Sequence, residues 1–205
     1  DGLCPRGGQG MGPPRLGERA EPPRNHSHIE GNKSTDGNGI KPVRSVFIGQ
    51  FALSQGECAL AVHGLGSCVA LILFAPQLGM GGLAHVLLPG APPPSDTTSD
   101  LPAKYASRAF DALWDGLHQK GASASHLRGA IVGGARMFQS DADLDQGVGQ
   151  RNIESLRQIL STRGIKLAAE DTGGTQGRTV IFDLPECRLR LRTLRDGWSE
   201  KNLKQ

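Results

Sequence analysis

Cys68 closes a glycine turn, G-L-G-S-C (64–68), and opens an apolar run, V-A-L-I-L-F-A, while a second run, G-G-L-A-H-V-L-L-P, carries His85. A thiol attacks a carbonyl carbon only as its thiolate, and a neighbouring imidazole is a common device for producing one. Between the runs lies A-P-Q-L-G (75–79), whose proline and glycine break two strand-like stretches and predict a hairpin turn. Antiparallel pairing about Pro76 and Gln77 would set Cys68 roughly opposite His85 or Val86, at about 4.5–8 Å between neighbouring side chains. The competing structural reading is a small buried cysteine and a core histidine bonded to a carbonyl, since free cysteine is among the most buried residue types.

Other segments must hold this pair. R-S-V-F-I-G (44–49) and E-C-A-L-A-V-H (57–63) read as short strands ahead of the glycine turn. After a proline-rich loop (91–100), Ala106, Ala109, Phe110, Leu113 and Leu117 recur at helical spacing, with Ser99 or Asp100 as cap, Pro102 in the first turn and Gly121 at the end. L-R-G-A-I-V-G-G-A (127–135) reads as a strand running into a glycine corner. Asn152 is expected to cap a second helix through Ile153, Leu156, Ile159 and Leu160, ended by Gly164. Strands at 165–170, 179–184 and 188–194 complete the set. In the last, Arg188, Arg190 and Arg192 alternate with Leu189 and Leu191, which predicts an edge strand with a basic solvated face or, as the sharper reading, a docking face for an acidic partner. Strands outnumber helices without regular alternation, so the expected class is α+β: a mixed or antiparallel sheet core with two main flanking helices in one domain.

Composition bounds the rest. Residues 1–42 are rich in Gly, Pro, Asn, Arg and Ser and poor in large apolar residues, which predicts a disordered N-terminal extension. The chain opens without a methionine, which reads as a fragment or a misplaced upstream start. The domain is expected over 43–195, followed by a tail at 196–205. No stretch is apolar enough to span a bilayer or to serve as a signal peptide core, so a cytoplasmic protein without membrane insertion is expected. A net charge of +3 does not call for nucleic acid. The four cysteines, Cys4, Cys58, Cys68 and Cys187, have no metal or disulfide spacing, and neither do the histidines beyond His26 and His28 in the extension. The aspartate-bearing loop at 138–149 lacks the ligand pattern of a calcium loop. G-L-G-S-C-V places valine where a dinucleotide fingerprint needs its third glycine.

The order I-G-Q-F-A, G-L-G-S-C-V-A, G-G-L-A-H-V-L-L-P, K-Y-A-S-R-A, I-V-G-G-A-R-M-F, G-Q-R-N-I and D-T-G-G-T-Q-G-R resembles the CheD family, the chemoreceptor glutamine deamidases, over roughly 43–195. The resemblance implies a fold like that of deamidating cysteine toxins. It also implies a hydrolase that converts receptor glutamine to glutamate through a thioester, with Cys68 as nucleophile, His85 as general base and no cofactor. The implied partners are methyl-accepting chemotaxis receptors and, for some members, a CheC-like phosphatase. Backbone N–H groups of Gly66, Ser67 and Cys68 are the expected oxyanion donors. Gly133, Gly134, Gly173 and Gly174 are the expected substrate loops, with the loop at 91–100.

One position departs from the family pattern. The family's third catalytic group is a threonine six residues before the nucleophile, and here that position holds Val62, which cannot orient an imidazole. Thr97, Thr98, His63 or a backbone carbonyl are the candidate substitutes. Three readings therefore stay open: a working receptor deamidase, a catalytically weak or inactive adaptor that binds receptors or a CheC-like phosphatase, and a related cysteine hydrolase with another amide substrate.

Overall fold

The computed structural model describes residues 41–97, 100–136 and 147–204. Two five-stranded sheets face each other. One has the order β1 (Val43–Ser45), β3 (Ala59–Leu65), β8 (Arg178–Asp183), β9 (Arg188–Thr193) and β10 (Gly197–Asn202). The other has the order β2 (Phe51–Ser54), β5 (Met80–Val86), β4 (Val69–Ala75), β6 (Arg128–Gly133) and β7 (Lys166–Thr172). Each sheet is antiparallel except for one parallel pair, β1 with β3 and β6 with β7. Helices α1 (Ala106–His118) and α2 (Val148–Thr162) cover the outer face of the second sheet.

This layering explains the near-continuous apolar run of β4, which is buried along its whole length. Alternate residues Ala70, Ile72 and Phe74 pack toward the first sheet with Val62, Val180 and Phe182, while Val69, Leu71 and Leu73 pack under the helices with Phe110, Leu113 and Leu156. A strand buried on both faces loses the alternation of a half-exposed one. The rings of Phe74 and Phe182 meet across the two sheets at 5.2 Å.

The expected α+β class, with two flanking helices and a mixed sheet core, is what the chain adopts. The predicted stripe of α1, from Ala106 to Leu117, is buried as a set. Its start differs: the helix begins after Tyr105, without a side-chain cap, and Asp100 instead uses its carbonyl to accept from the Gln50 side chain. Ser99 lies outside the described residues. Asn152 does not cap α2 but sits inside it, fully buried, because it falls four residues before Leu156 on the helix's apolar stripe. Gly164 does end α2, at a φ of 66°.

Two boundaries also shift. Lys41 and Pro42 join the domain, with the Lys41 amine bonded to the Leu184 carbonyl and Glu186, and the Pro42 carbonyl accepting from the Ala59 N–H. The segment expected as a tail forms β10, which pairs with β9 along its length and is followed by Leu203, buried in the inter-sheet core. Strand β9 is therefore not an edge. Its arginines are engaged: Arg190 pairs with Asp183 at 3.0 Å, Arg188 with Glu200 at 3.6 Å, and Arg192 lies over the Trp198 ring. A basic face so occupied is a poor acidic-partner dock. Residues 1–40, with Cys4, His26 and His28, and most of the aspartate-bearing loop lie outside the described residues.

The inter-sheet core should dominate stability. Phe182→Ala is expected to destabilise the domain by about 3–5 kcal/mol, the usual cost of emptying a buried phenylalanine site. Urea denaturation checks this, and a loss under 1 kcal/mol would mean that the two sheets do not share one core.

Candidate active site

The hairpin forms where its turn residues place it. Pro76–Leu78 make a single 3₁₀ turn, Gly79 takes the left-handed conformation at a φ of 62°, and Ala75 pairs with Met80. Following that register, Ala70 is opposite His85 and Val69 opposite Val86, so Cys68, one residue before the strand, is level with Leu87. The predicted pairing is thus displaced by one to two residues. Cys68 and His85 are then diagonal neighbours on one face, with the methyl of Ala70 level with the ring and about 7–8 Å between their backbone positions. Both residues are on the face turned toward the first sheet, at the end of the inter-sheet core. Cys68 is half-buried and packs against that core, and His85 is 6% exposed.

The turn carrying Cys68 is fastened from behind at three successive carbonyls. The Gly66 carbonyl accepts from the Ala135 N–H at 2.8 Å, the Ser67 carbonyl from the Asn152 amide at 3.3 Å, and the Cys68 carbonyl from the Gly134 N–H at 2.8 Å. Only glycine permits the last contact: Gly133 has a φ of 115°, and a Cβ there would fall 2.5 Å from the Cys68 carbonyl oxygen. Gly133 and Gly134, expected on a substrate loop, are buried and act as the close-fitting back of the nucleophile turn. Gly173 bonds through its N–H to the Gly133 carbonyl, the exposed Gly174 accepts from Arg136, and Arg178 braces the loop through Asp171 and the Gly173 and Gln176 carbonyls.

His85 is held with equal economy. Its N–H donates to the Gln50 carbonyl and its carbonyl accepts from the Gly49 N–H, so the I-G-Q turn grips the histidine's main chain. The Asn152 amide also donates to the Leu87 carbonyl at 2.9 Å. The seven segments that carry the family resemblance thus converge: K-Y-A-S adds the Lys104 carbonyl, which accepts from the Leu87 and Leu88 N–H groups just beyond the histidine.

Electrostatics favour neutral partners. Burial pushes the Cys68 thiol above the ordinary cysteine range, opposed by a smaller effect of its own main-chain hydrogen bond. Burial also lowers the His85 imidazole, opposed by a main-chain hydrogen bond with Val46. Both shifts favour the neutral forms, a thiol at Cys68 and an unprotonated imidazole at His85. His85 Nδ1 is buried and has no hydrogen-bond partner. Val62 is fully buried in the same inter-sheet core, while the strand alternation carries His63 outward, where it is exposed. Thr97 is exposed in its loop, and Thr98 lies outside the described residues.

Comparison with known proteins assigns the chain to a family. The family described as CheD chemotactic sensory transduction matches residues 87–193, more than half of the chain. The chain belongs to the CheD family. Among CheD relatives, the probable chemoreceptor glutamine deamidase CheD of Pyrococcus abyssi is 38% identical over 152 residues, 74% of this chain and 92% of that protein. The chemoreceptor glutamine deamidase CheD of Thermotoga maritima is 37% identical over 150 residues, 73% of this chain and 91% of that protein. That of Desulforamulus reducens, also named as probable, is 35% identical over 73% of this chain and 89% of that protein. A match of 152 residues in a chain of 205 necessarily includes positions 68 and 85. Among solved structures, the hypothetical protein YfiH of Bacillus licheniformis aligns with 12% identity over 70% of this chain and 65% of that one, at a TM-score of 0.37, too slight a likeness to bear on the CheD fold.

Sequence reasoning missed Asn152 as a site residue, having spent it on a helix cap. Its position on the apolar stripe of α2 was the available signal, since an amide there must be buried and must find partners.

Because the resting pair is neutral, alkylation of Cys68 by iodoacetamide should climb steadily with pH into the alkaline range, read by peptide mass spectrometry to separate it from Cys58. A rate that is already flat near pH 6 would show a preformed thiolate–imidazolium pair and contradict the neutral assignment.

Proposed function

We propose that this chain is a protein-glutamine deamidase acting on methyl-accepting chemotaxis receptors, with Cys68 as nucleophile and His85 as general base. The observation that supports it most is the common face of the two residues beneath a nucleophile turn braced from behind. The names of the CheD relatives supply the substrate class. His85 takes the proton of the Cys68 thiol as sulfur bonds to the carboxamide carbon of a receptor glutamine, giving a tetrahedral oxyanion. The Cys68 N–H donates to that oxygen. Collapse breaks the carbon–nitrogen bond, the proton on His85 leaves with ammonia, and water delivered through His85 hydrolyses the thioester to glutamate and free thiol. The scheme calls for no cofactor.

The receptor must present an extended side chain to the mouth of the inter-sheet face, so selectivity comes from surfaces around it. The exposed Gly174 and Thr175 and the described part of the loop at 91–97 are the segments we assign to that contact. No helix among the described residues is long and apolar enough to cross a membrane, and we place the protein in the cytoplasm, where it meets the receptor's cytoplasmic region.

A second reading has one observation in its favour. The unpartnered Nδ1 of His85, with a valine at the family's threonine position, describes an imidazole without a side-chain orienting group, its ring held only by the Val46 main chain and by packing. A triad lacking its orienting group loses orders of magnitude in rate, so the protein would then act chiefly by binding receptors or a CheC-like phosphatase.

Purified protein incubated with a receptor cytoplasmic fragment should convert specific glutamines to glutamates, seen as a gain of about one mass unit per site, and Cys68→Ala should abolish the conversion while the fold is retained. Conversion that persists in Cys68→Ala rules the scheme out, and binding without conversion by the wild type supports the adaptor. Val62→Thr should raise the deamidation rate about tenfold or more if His85 needs the orienting hydroxyl that Val62 lacks. An unchanged rate in a folded Val62→Thr protein would show that His85 needs no third group here.

A further inference from the structure

We infer that Asn152 is a positioning residue for the oxyanion donor of this site, an inference that rests on the deamidase reading above. Asn152 is fully buried within α2, and its amide nitrogen reaches two carbonyls from different parts of the chain: that of Ser67 at 3.3 Å and that of Leu87 at 2.9 Å. Both partners are acceptors only, so the side-chain amide must present its NH₂ to them, and its orientation follows from chemistry. Its Oδ1 is then turned into the interior without any hydrogen-bond partner. A buried acceptor left unpaired is a cost that the two bonds to the Ser67 and Leu87 carbonyls must offset.

The consequence lies in the peptide that Asn152 holds. In a trans peptide the carbonyl of one residue and the N–H of the next point in opposite directions. Anchoring the Ser67 carbonyl toward α2 therefore aims the Cys68 N–H away from α2, toward the reactive side. The Cys68 side chain packs on that same inter-sheet side, so its sulfur and that N–H share one face of the turn. An oxyanion formed by attack of that sulfur arises within its reach. The second bond, to Leu87, ties the same amide to the strand just beyond His85 and fixes the distance between donor and base. The neighbouring bonds from Ala135 and Gly134 hold the Gly66 and Cys68 carbonyls, leaving Asn152 as the clamp on the peptide that bears the donor.

Two chemistries at the same sulfur separate this role from a merely structural one. Deamidation develops an oxyanion, whereas alkylation by iodoacetamide displaces iodide without one and reads only the thiolate and its access. The full chain carrying Asn152→Ala, with Asn152→Asp as a second variant should the first fail to fold, is compared with wild type on a receptor cytoplasmic fragment. Deleting an oxyanion donor costs about 10²–10³ in kcat, so misaiming one should lower kcat roughly ten- to a hundredfold with KM within about twofold. Cys68 alkylation rates across pH should stay within about twofold of wild type. Unchanged kcat in a folded variant overturns the inference, as does a parallel fall of deamidation and alkylation, which would mark Asn152 as structural support for the whole turn. Absence of deamidation by the wild type overturns the enzymatic reading first and this inference with it, an outcome distinct from either.

Discussion

The chain's chemistry depends on the carbonyls of Gly66, Ser67 and Cys68 being held from behind by Ala135, Asn152 and Gly134. Each such bond contributes only about 0.5–1.5 kcal/mol net, so the value of the set is geometric. A glycine turn left to itself samples many conformations, and its thiol would sample as many directions. Three fastenings contributed by two different segments remove that freedom and leave one face of the turn for substrate. The constraint explains why a glycine is required at position 133, where the chain passes so close to the Cys68 carbonyl that no Cβ fits.

The rest of the architecture serves this fastening. Strand β4 is central in its sheet and buried on both faces, so Cys68, the proposed nucleophile, is attached to a strand packed on every side. Strand β5 lies beside it and is gripped at His85 by the I-G-Q turn. Burial that stabilises the sheets also sets the protonation of the pair, since a half-buried thiol and a nearly buried imidazole both favour their neutral forms. The proposed deamidation would therefore start from neutral partners and need no standing charge.

The hairpin, the stripe of α1 and most of the central strands were legible because they rest on local signals: Pro76 and Gly79 at a turn, and apolar residues at periods of two or 3.6. What the sequence could not show was long-range. The register that sets Cys68 level with Leu87 depends on where the 3₁₀ turn ends, a matter of one residue at Gly79. Gly133 and Gly134 read as a flexible loop, when their close approach to Cys68 is visible only once β6 lies against β4. Strand β10 went unseen because Gly197–Asn202 is exposed throughout and polar around Trp198, so only pairing with β9 reveals it. Asn152 read as a cap because asparagine commonly is one, although its spacing to Leu156 pointed inward. The family resemblance correctly gathered seven segments, and the structure shows them meeting around one region: some hold the Cys68 turn or the His85 main chain directly, while K-Y-A-S bonds to Leu87 and Leu88 and D-T-G-G-T-Q-G-R to Gly133 and Arg136.

The most direct measurement is a crystal structure of the protein bearing a glutamine-mimicking chloromethyl ketone. The account predicts a covalent bond to Cys68 Sγ, the adduct oxygen within hydrogen-bond distance of the Cys68 N–H, and the His85 ring on the same face as the sulfur. Reaction at Cys58 in preference to Cys68, or an adduct oxygen directed away from that N–H with the His85 ring turned elsewhere, would contradict it.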